Sequence, residues 1–184
     1  MVILFCIDCG GLEAGFNLIV HHKGNTKFIE ELYSNIFSVY LMLSLCLGYN
    51  MLTFTLEQEE AYLKQKEESD RDAALLAEVD GKVVGTAGVD SLNAAEKTRH
   101  RVHFGISIAK AWWGLGIGRA LTEACIECAR EAGYLQLDLE VVADNIRATE
   151  LYKSVGFTEY GRNPKSFRSR NSGWQENVLM RLEL

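Results

Sequence analysis

The chain has 184 residues, of which 48% are hydrophobic and 24% are charged, so it is long enough for one domain with a substantial core and its composition does not indicate disorder. Its formal net charge of −6 argues against a nucleic-acid-binding protein, which needs basic contacts to phosphates, and suits a cationic substrate. The five cysteines are odd in number and too few for a disulfide scaffold, which favours a reducing, cytoplasmic compartment.

The first 50 residues give the weakest signals. Residues 1–15 are predicted to be an added arm rather than part of the fold, and they lack the basic start of a secretory signal. Residues 17–22 predict a strand, and residues 27–47 predict a helix capped by Thr26. This region is expected to contribute a strand and helices that border the substrate site.

The most apolar segment of the chain is residues 36–47. Its twelve residues are fewer than the roughly 20 that a membrane-spanning helix needs. We therefore expect no membrane partner. The segment is predicted to be buried, or to dock on a second subunit in a homodimer.

Two Cys-x-x-Cys pairs raise the alternative of a zinc site. They are Cys6 with Cys9 and Cys125 with Cys128. The second pair lies within a predicted helix, where packing explains its three-residue spacing, and the neighbours His21 and His22 would point to opposite faces of a strand. We therefore predict no metal site.

The middle of the chain predicts a helix followed by a hairpin. Residues 55–68 place apolar residues among many charged ones, which indicates an exposed amphipathic helix. Residues 73–79 and 82–89 flank Asp80-Gly81, a strong signal for a two-residue turn between antiparallel strands. Residues 90–100 are polar and are predicted to form a loop.

Residues 102–119 predict a strand, a glycine-rich turn and the start of a helix. Apolar residues alternate over 102–108, and residues 117–132 carry the three- and four-residue apolar spacing of a helix. Between them lie glycines at positions 114, 116 and 118. This order presents free backbone N–H groups and the positive end of a helix dipole to an anion such as a phosphate.

Three phosphate-binding loops compete for this pattern. A P-loop needs Gly-Lys-Ser/Thr, but Arg119 follows Gly118, and a dinucleotide fingerprint needs G-x-G-x-x-G rather than the G-x-G-x-G present here. The run instead resembles the pyrophosphate loop of the GNAT superfamily of acyl-CoA-dependent N-acyltransferases, Q/R-x-x-G-x-G/A. Gly116 and Gly118 take the glycine positions, and Trp113 stands where Gln or Arg is usual.

A second motif strengthens the resemblance. Residues 139–157 are similar to the superfamily's next block, N-x-x-A-x-x-L-Y-x-x-x-G-F. The matching residues are Asn145, Ala148, Leu151, Tyr152, Gly156 and Phe157. The resemblance covers about residues 53–184 and is weak over residues 1–50, and we expect residues 1–184 to form a single GNAT domain.

The remaining elements complete a fold of the α/β class. Residues 134–142 predict a strand that a helical crossover makes parallel to 102–108, and Asn145 is expected to cap a helix running to residue 155. Residues 157–161 and 176–182 predict a closing antiparallel pair separated by a basic loop. The resemblance implies the GNAT fold: a mixed central sheet with antiparallel N-terminal strands, a splayed parallel strand pair, and helices on both faces.

The resemblance implies acetyl-CoA as the acyl donor. Its pantetheine arm would lie between the splayed strands and contact the backbone of Ile106, Ser107 and Ile108, with Asn145 reaching a pantetheine amide. Lys153 or the basic loop is the candidate for the 3′-phosphate. The pyrophosphate would rest on main-chain amides of Trp113, Gly114, Leu115, Gly116, Ile117, Gly118 and Arg119.

The resemblance also implies direct attack of an amine on the thioester. Tyr152 occupies the position of the general acid that protonates the departing thiolate. His103 stands where many relatives carry a glutamate base, and Glu140 is the reserve candidate. The acceptor stays open between a small-molecule amine and a protein N-terminus. The non-enzymatic alternative is an acyl-CoA sensor or scaffold module that binds without turnover.

Overall fold

The computed structural model describes residues 3–6, 17–20, 68–80, 82–92, 95–169 and 173–184. The strands are β1 (Ile3–Cys6), β2 (Asn17–Val20), β3 (Ala73–Val79), β4 (Lys82–Ser91), β5 (Arg101–Ile108), β6 (Gln136–Val142), β7 (Thr158–Ser169) and β8 (Gly173–Glu183). The α-helices in this part of the chain are α1 (Ile117–Glu131) and α2 (Ile146–Ser154). Short 3₁₀ turns cover Glu96–Thr98 and Lys110–Trp112.

All the described strands join one sheet in the order β1-β2-β3-β4-β5-β6-β8-β7. The pairs from β1 to β5 are antiparallel, β5 and β6 are parallel, and β6, β8 and β7 are again antiparallel. The predicted mixed sheet of the α/β class is therefore confirmed. None of the described helices is both long and apolar enough to cross a membrane.

The N-terminal region corrects one prediction. Residues 1–15 were expected to lie outside the fold, but Ile3–Cys6 pairs with Asn17–Val20 and forms the edge of the sheet. Four residues make too short a strand for a periodic signal to separate from a flexible arm. The helix predicted over residues 27–47, and with it the apolar segment at 36–47, lies outside the described residues, and so do residues 55–67 of the helix predicted over 55–68.

The β3–β4 hairpin follows the predicted turn. Asp80 has a φ of 50°, the left-handed conformation that the first residue of an Asp-Gly turn requires. The strand continues to Ser91, beyond the predicted end at residue 89. The following segment, predicted to be loop throughout, contains the 3₁₀ turn at Glu96–Thr98.

The helices α1 and α2 pack on the same side of the sheet, which we call the helix face. Side chains of β5 on this face include Phe104, which lies edge-on to Tyr152 of α2, and Ile108, which lies close to Leu121 of α1 across Gly85. The apolar stripe of α1 is buried, as its spacing predicts. It includes the buried side chains of Cys125 and Cys128, and burial raises the pKa of Cys128 to about 11, which makes it a poor nucleophile.

The other side of the sheet, which we call the opposite face, carries a charged network. Asp138 of β6 is buried and accepts hydrogen bonds from Arg101 of β5 and Arg181 of β8. Burial alone would raise the pKa of Asp138, but the bonds from Arg181 and Arg101 outweigh it and hold the pKa below its usual range. This network ties three adjacent strands together at the level where β5 and β6 are paired.

The C-terminal hairpin is longer than predicted. The basic segment expected to be a loop is part of β7, and β7 and β8 pair from Thr158 to Ser169. The register shifts between Asn163 and Phe167, the interval that contains Pro164. Because β7 is the edge of the sheet, it tolerates charged side chains and a proline that would break a central strand.

Candidate active site

The glycine-rich turn between β5 and α1 leaves a row of main-chain amides unbonded. Gly114 and Gly116 both have a φ of 83°, a conformation that favours glycine, and Gly116 immediately precedes α1. The N–H of Trp113 bonds to Lys110 O, and the N–H of Ala120 bonds to Gly116 O. No acceptor within the described chain is recorded for the N–H groups of residues 114–119. These groups are free to bind an anion at the positive end of the helix.

The indole of Trp113 stabilises this turn through a hydrogen bond to the preceding strand. Its Nε1 donates a hydrogen bond of 2.7 Å to Ile108 O, at the end of β5. The bond closes the turn against the strand that precedes it. It therefore fixes the position of the free amides relative to β5.

Gly118 lets the start of α1 approach both β5 and α2. A Cβ at this position would lie 3.3 Å from the side chains of Ile108 and Leu151. A larger residue would push the helix away from the strand end. The row of free amides is consequently held beside the end of β5.

The strands β5 and β6 are paired over only three positions. The register joins Arg101 to Gln136, Val102 to Leu137 and His103 to Asp138, and no pair follows. Both strands continue, each paired with its other neighbour, β4 or β8. The parallel strands therefore diverge toward the turn, and we call the resulting gap the split.

The direction of the backbone groups along β5 follows from one hydrogen bond. Ala109 N–H donates to Val84 O of β4, and successive residues of a strand point their backbone groups to alternate sides. The N–H and C=O groups of Phe104, Ile106 and Ile108 therefore point into the split. The backbone of Ser107 points instead toward Thr86 of β4, its register partner.

The facing edge of β6 is open in the same way. Ala143 N–H donates to Glu176 O of β8, so the backbone groups of Glu140 and Val142 point into the split. Both edges thus present unpaired donors and acceptors. A gap of this kind accepts an extended chain carrying amide groups, as in recognition by strand addition.

Tyr152 lies on the helix face next to the split. Its ring is 7% exposed and packs against Phe104 and Phe157, with centroid distances of 6.0 Å and 5.9 Å. Burial raises the pKa of Tyr152 to about 12. Its hydroxyl forms no hydrogen bond with any of the described residues, so its hydrogen-bonding capacity is left for a ligand.

The two base candidates lie on the opposite face. Glu140 is exposed, and its Oε2 accepts a hydrogen bond of 3.0 Å from Nδ2 of Asn177 in β8. It lies two residues beyond the last paired position of β6, Asp138. His103 is half-buried at the last paired position of β5. Glu140 therefore stands beside the split, whereas His103 stands where the strands are still joined.

Comparison with known proteins identifies the family. The model of the acetyltransferase (GNAT) family matches residues 38–157, more than half of the chain. The chain belongs to the GNAT acetyltransferase family. Its resemblance to that family is thereby confirmed, and so is the implied fold.

Curated relatives of this GNAT chain include several named N-acetyltransferases. N-alpha-acetyltransferase RimI of Mycobacterium tuberculosis is 38% identical over 88 residues, which cover 48% of this chain and 53% of the relative. The probable N-acetyltransferase camello of Xenopus tropicalis is 34% identical over 102 residues, covering 55% and 44%. The chain spans about half the length of these relatives.

Solved GNAT structures share the fold over most of the chain. A GNAT-family acetyltransferase from Streptococcus pneumoniae has a TM-score of 0.75 at 24% identity, covering 91% of this chain and 99% of that one. The putative acetyltransferase yncA from Salmonella typhimurium, solved with its cofactor acetyl-CoA, has a TM-score of 0.75 at 19% identity, covering 92% and 94%. Ribosomal-protein-alanine N-acetyltransferase from Brucella melitensis has a TM-score of 0.73 at 25% identity, covering 90% and 99%.

Three predicted cofactor-binding side chains already have protein partners in the GNAT fold. Asn145 caps α2, with its Oδ1 accepting from Ala148 N at 3.2 Å, which leaves its Nδ2 for a ligand. Lys153 pairs with Glu150 on the surface of α2. Arg119 bonds to Ser154 and Glu123, so its side chain joins α1 to α2 and only its amide faces the turn.

Arg147 is a residue of the site that the sequence analysis missed. Its Nη1 lies 3.7 Å from the position that a Cβ on Gly114 would take. An exposed guanidinium thus stands next to the free amides of the turn. The sequence does place Arg147 in the first turn of the helix that Asn145 caps. Its approach to the glycines depends on the packing of α2 beside α1, which the sequence pattern does not show.

Proposed function

We propose that this protein transfers the acetyl group of acetyl-CoA to a primary amine by direct attack of the amine on the thioester. The observation that carries the proposal is the row of free amides at residues 114–119 beside the split between β5 and β6. The free amides suit a diphosphate, and the split suits an extended arm that contains amide groups. The two features are adjacent. Coenzyme A combines both groups in one molecule.

The donor is expected to enter from the helix face. Its pyrophosphate would accept hydrogen bonds from the amides of residues 114–119, next to the positive charge of Arg147. The pantetheine arm would lie in the split and bond to the backbone of Ile106 and Ile108, with Asn145 Nδ2 donating to one of its carbonyls. Backbone direction favours these two isoleucines over Ser107 as main-chain partners.

The acceptor must lose a proton during the reaction. A primary amine with a pKa near ~10.4 is neutral only about once in 10³ molecules at pH 7, a handicap of roughly 4 to 5 kcal/mol. We assign Glu140 as the group that takes the proton, directly or through water, because its carboxylate stands at the split and is oriented by Asn177. His103 is the second candidate.

The bond changes balance with Tyr152 as the acid and Glu140 as the base. The amine nitrogen bonds to the thioester carbon and its proton passes to Glu140, the C–S bond breaks, and the sulfur accepts the proton of the Tyr152 hydroxyl. Solvent then returns a proton to the tyrosinate, and Glu140 releases the proton it took. An N–H group near Ile106 or Ile108 would stabilise the developing negative charge on the carbonyl oxygen. Because the pKa of Tyr152 is about 12, its hydroxyl keeps its proton at neutral pH until the thiolate forms.

The wider context of the activity is also a proposal. We infer that residues 1–184 act as a single GNAT domain in the cytoplasm, the reducing compartment that the small, odd number of cysteines favours. The acceptor is a small-molecule amine or a protein N-terminus. Relatives named N-alpha-acetyltransferase and ribosomal-protein-alanine N-acetyltransferase favour an α-amine. A homodimer stays a prediction.

The test has a binding step and a turnover step. Acetyl-CoA is titrated into the protein by calorimetry, with ATP as the control ligand, and thiol release is then measured against a panel of amines. We expect acetyl-CoA to bind and at least one amine to release thiol. Binding without release for every amine would favour the sensor module, and binding of ATP alone would exclude the acyl-CoA assignment.

A further inference from the structure

Ser107 Oγ and Asn177 Oδ1 are buried side-chain atoms that form no hydrogen bond with any described residue. Ser107 is 5% exposed and Asn177 is not exposed at all. Leaving a buried polar atom unsatisfied destabilises the fold, so each such atom calls for an explanation. Alanine or valine at position 107, or leucine at position 177, would fill the same space without this cost.

The orientation of the Asn177 amide is fixed by Glu140. A carboxylate only accepts hydrogen bonds, so the atom of Asn177 that faces Glu140 Oε2 at 3.0 Å must be the donor Nδ2. The remaining atom, Oδ1, is an acceptor and needs an N–H or O–H donor. Asn177 therefore both orients the candidate base and offers an unfilled acceptor next to it.

Ser107 and Asn177 lie at the same level of the sheet and on the same face. The parallel register joins His103 to Asp138, so four residues further along, Ser107 is level with Val142, which pairs with Asn177. The side chain of Ser107 points away from the helix face, because its neighbours Ile106 and Ile108 alternate with it. Ser107 Oγ and Asn177 Oδ1 thus both lie on the opposite face, one on each side of the split.

The surface of the sheet beside Glu140 is open at Gly105. Gly105 is level with Glu140 across the split, and a Cβ at Gly105 would have no atom within 4 Å. A substrate group can therefore approach Glu140 at this position without meeting a β5 side chain. Among the described residues, the Glu140 carboxylate, the Ser107 hydroxyl and the Asn177 amide oxygen therefore lie on the acceptor side of the split.

We propose that Ser107 and Asn177 bind an amide group that adjoins the reacting amine of the acceptor. The inference rests on the proposed function and narrows its substrate class. Asn177 Oδ1 takes the N–H of the amide, and the Ser107 hydroxyl donates to its C=O. An amino-acid amide and a peptide N-terminus both carry this group next to a primary amine, whereas a simple alkylamine or a polyamine does not.

Matched acceptors test the proposal. Alaninamide and isopropylamine both present a primary amine on a branched carbon, and only alaninamide carries the amide. We expect kcat/KM for alaninamide to exceed that for isopropylamine by about a hundredfold, the effect of two hydrogen bonds of roughly 1.4 kcal/mol each. A higher kcat/KM for trialanine than for alaninamide would indicate that the acceptor is a peptide N-terminus. Equal values of kcat/KM would indicate a small amino-acid amide.

The variant Ser107→Ala removes one of the two contacts. We expect it to raise KM for alaninamide about tenfold and to leave KM for isopropylamine and the affinity for acetyl-CoA unchanged. The melting temperature should not fall, because the substitution deletes an unsatisfied hydroxyl. Cys128→Ala is the control, since it also trims a buried side chain but lies in the last turn of α1, away from the split.

A binding measurement separates this inference from the proposed function. Alaninamide is titrated into the protein saturated with coenzyme A, and the dissociation constant is compared between the native chain and Ser107→Ala. A weaker complex in the variant supports the amide site even if no acceptor is acetylated. Equal alaninamide binding by both proteins, or no preference of the native chain for alaninamide over isopropylamine, overturns the inference.

Discussion

The indole Nε1 of Trp113 donates a hydrogen bond of 2.7 Å to the main-chain carbonyl of Ile108. This contact joins the two parts of the proposed acetyl-CoA site, because Ile108 ends the strand beside the split and Trp113 precedes the free amides of the turn. It also occupies the Ile108 carbonyl, which leaves the N–H of Ile108 as the group available to a ligand. The site is therefore held in shape by a side chain that need not touch the cofactor.

Replacing Trp113 by phenylalanine should weaken acetyl-CoA binding moderately. The variant loses one hydrogen bond, about 1 kcal/mol, so we expect the dissociation constant to rise roughly fivefold while the melting temperature changes little, since Trp113 is 49% exposed. Calorimetry measures the affinity. Trp174→Phe, at another exposed tryptophan in β8, is the control, and an equal loss in both variants would deny Trp113 this role.

Replacing Gly116 by valine should abolish acetyl-CoA binding while the protein stays folded. A residue with a Cβ at a φ of 83° is strained by about 1–2 kcal/mol, and relaxing that strain turns the free amides away from their common direction. We expect the dissociation constant for acetyl-CoA to rise at least a hundredfold by calorimetry.

Gly133→Val is the matched control for that variant. Gly133 follows α1 with a φ of 74°, and a Cβ there would have no atom within 4 Å, so the substitution introduces similar strain at the other end of the helix. It should lower stability to a similar extent and leave acetyl-CoA binding intact. Retained binding in Gly116→Val would remove the phosphate assignment from the turn.

Replacing Tyr152 by phenylalanine should lower kcat at least a hundredfold and leave the affinity for acetyl-CoA unchanged. The substitution removes only the hydroxyl proposed to protonate the departing thiolate, and the ring contacts with Phe104 and Phe157 remain. Thiol release at saturating acetyl-CoA measures kcat. An unchanged kcat would take Tyr152 out of the mechanism.

The same variant should change how stability depends on pH. The pKa of Tyr152 is raised from about 10 to about 12 in the folded protein, so the buried neutral tyrosine stabilises the fold fully below pH 10. This contribution, at most about 3 kcal/mol, is lost as the pH rises from 10 toward 12. Urea unfolding should show a steeper fall for the native chain than for Tyr152→Phe in this range, and parallel curves would contradict the burial of an ionisable hydroxyl.

Replacing Arg147 by glutamine should weaken acetyl-CoA binding and make it less sensitive to salt. Its guanidinium stands beside Gly114, where the pyrophosphate is expected, and is exposed, so about 1 kcal/mol or a fivefold rise in the dissociation constant is expected. Titrations at two salt concentrations measure both effects. Arg130→Gln, near the far end of α1, should change neither, and identical behaviour of the two variants would rule out a phosphate contact.

Local patterns in the sequence predicted much of the fold. The hairpin around Asp80, the strand–glycine–helix order and the cap at Asn145 each depend on residues close together in the chain. The edge strands of the sheet were harder to predict. Residues 3–6 are too few to show a period, and the basic residues of β7 suggest a loop when their place at the edge is unknown.

The site was predicted less completely, because its key relationships join distant residues. The pair Glu140–Asn177 and the approach of Arg147 to Gly114 depend on the strand order and on the packing of α2 beside α1. The alternation of residues 102–108 predicted a strand but not the direction of its backbone groups. A hydrogen bond beyond the strand, from Ala109 to Val84, reveals that direction.

Amide hydrogen exchange with and without coenzyme A, measured by NMR, tests the central claim most directly. The account predicts that added coenzyme A protects the amides of Ile106 and Ile108, which face the split, and those of residues 114–119, while the amide of Ser107, bonded toward β4, stays unchanged. If coenzyme A binds but leaves the amides of the turn and of Ile106 and Ile108 exchanging as before, neither the turn nor the split is where it binds.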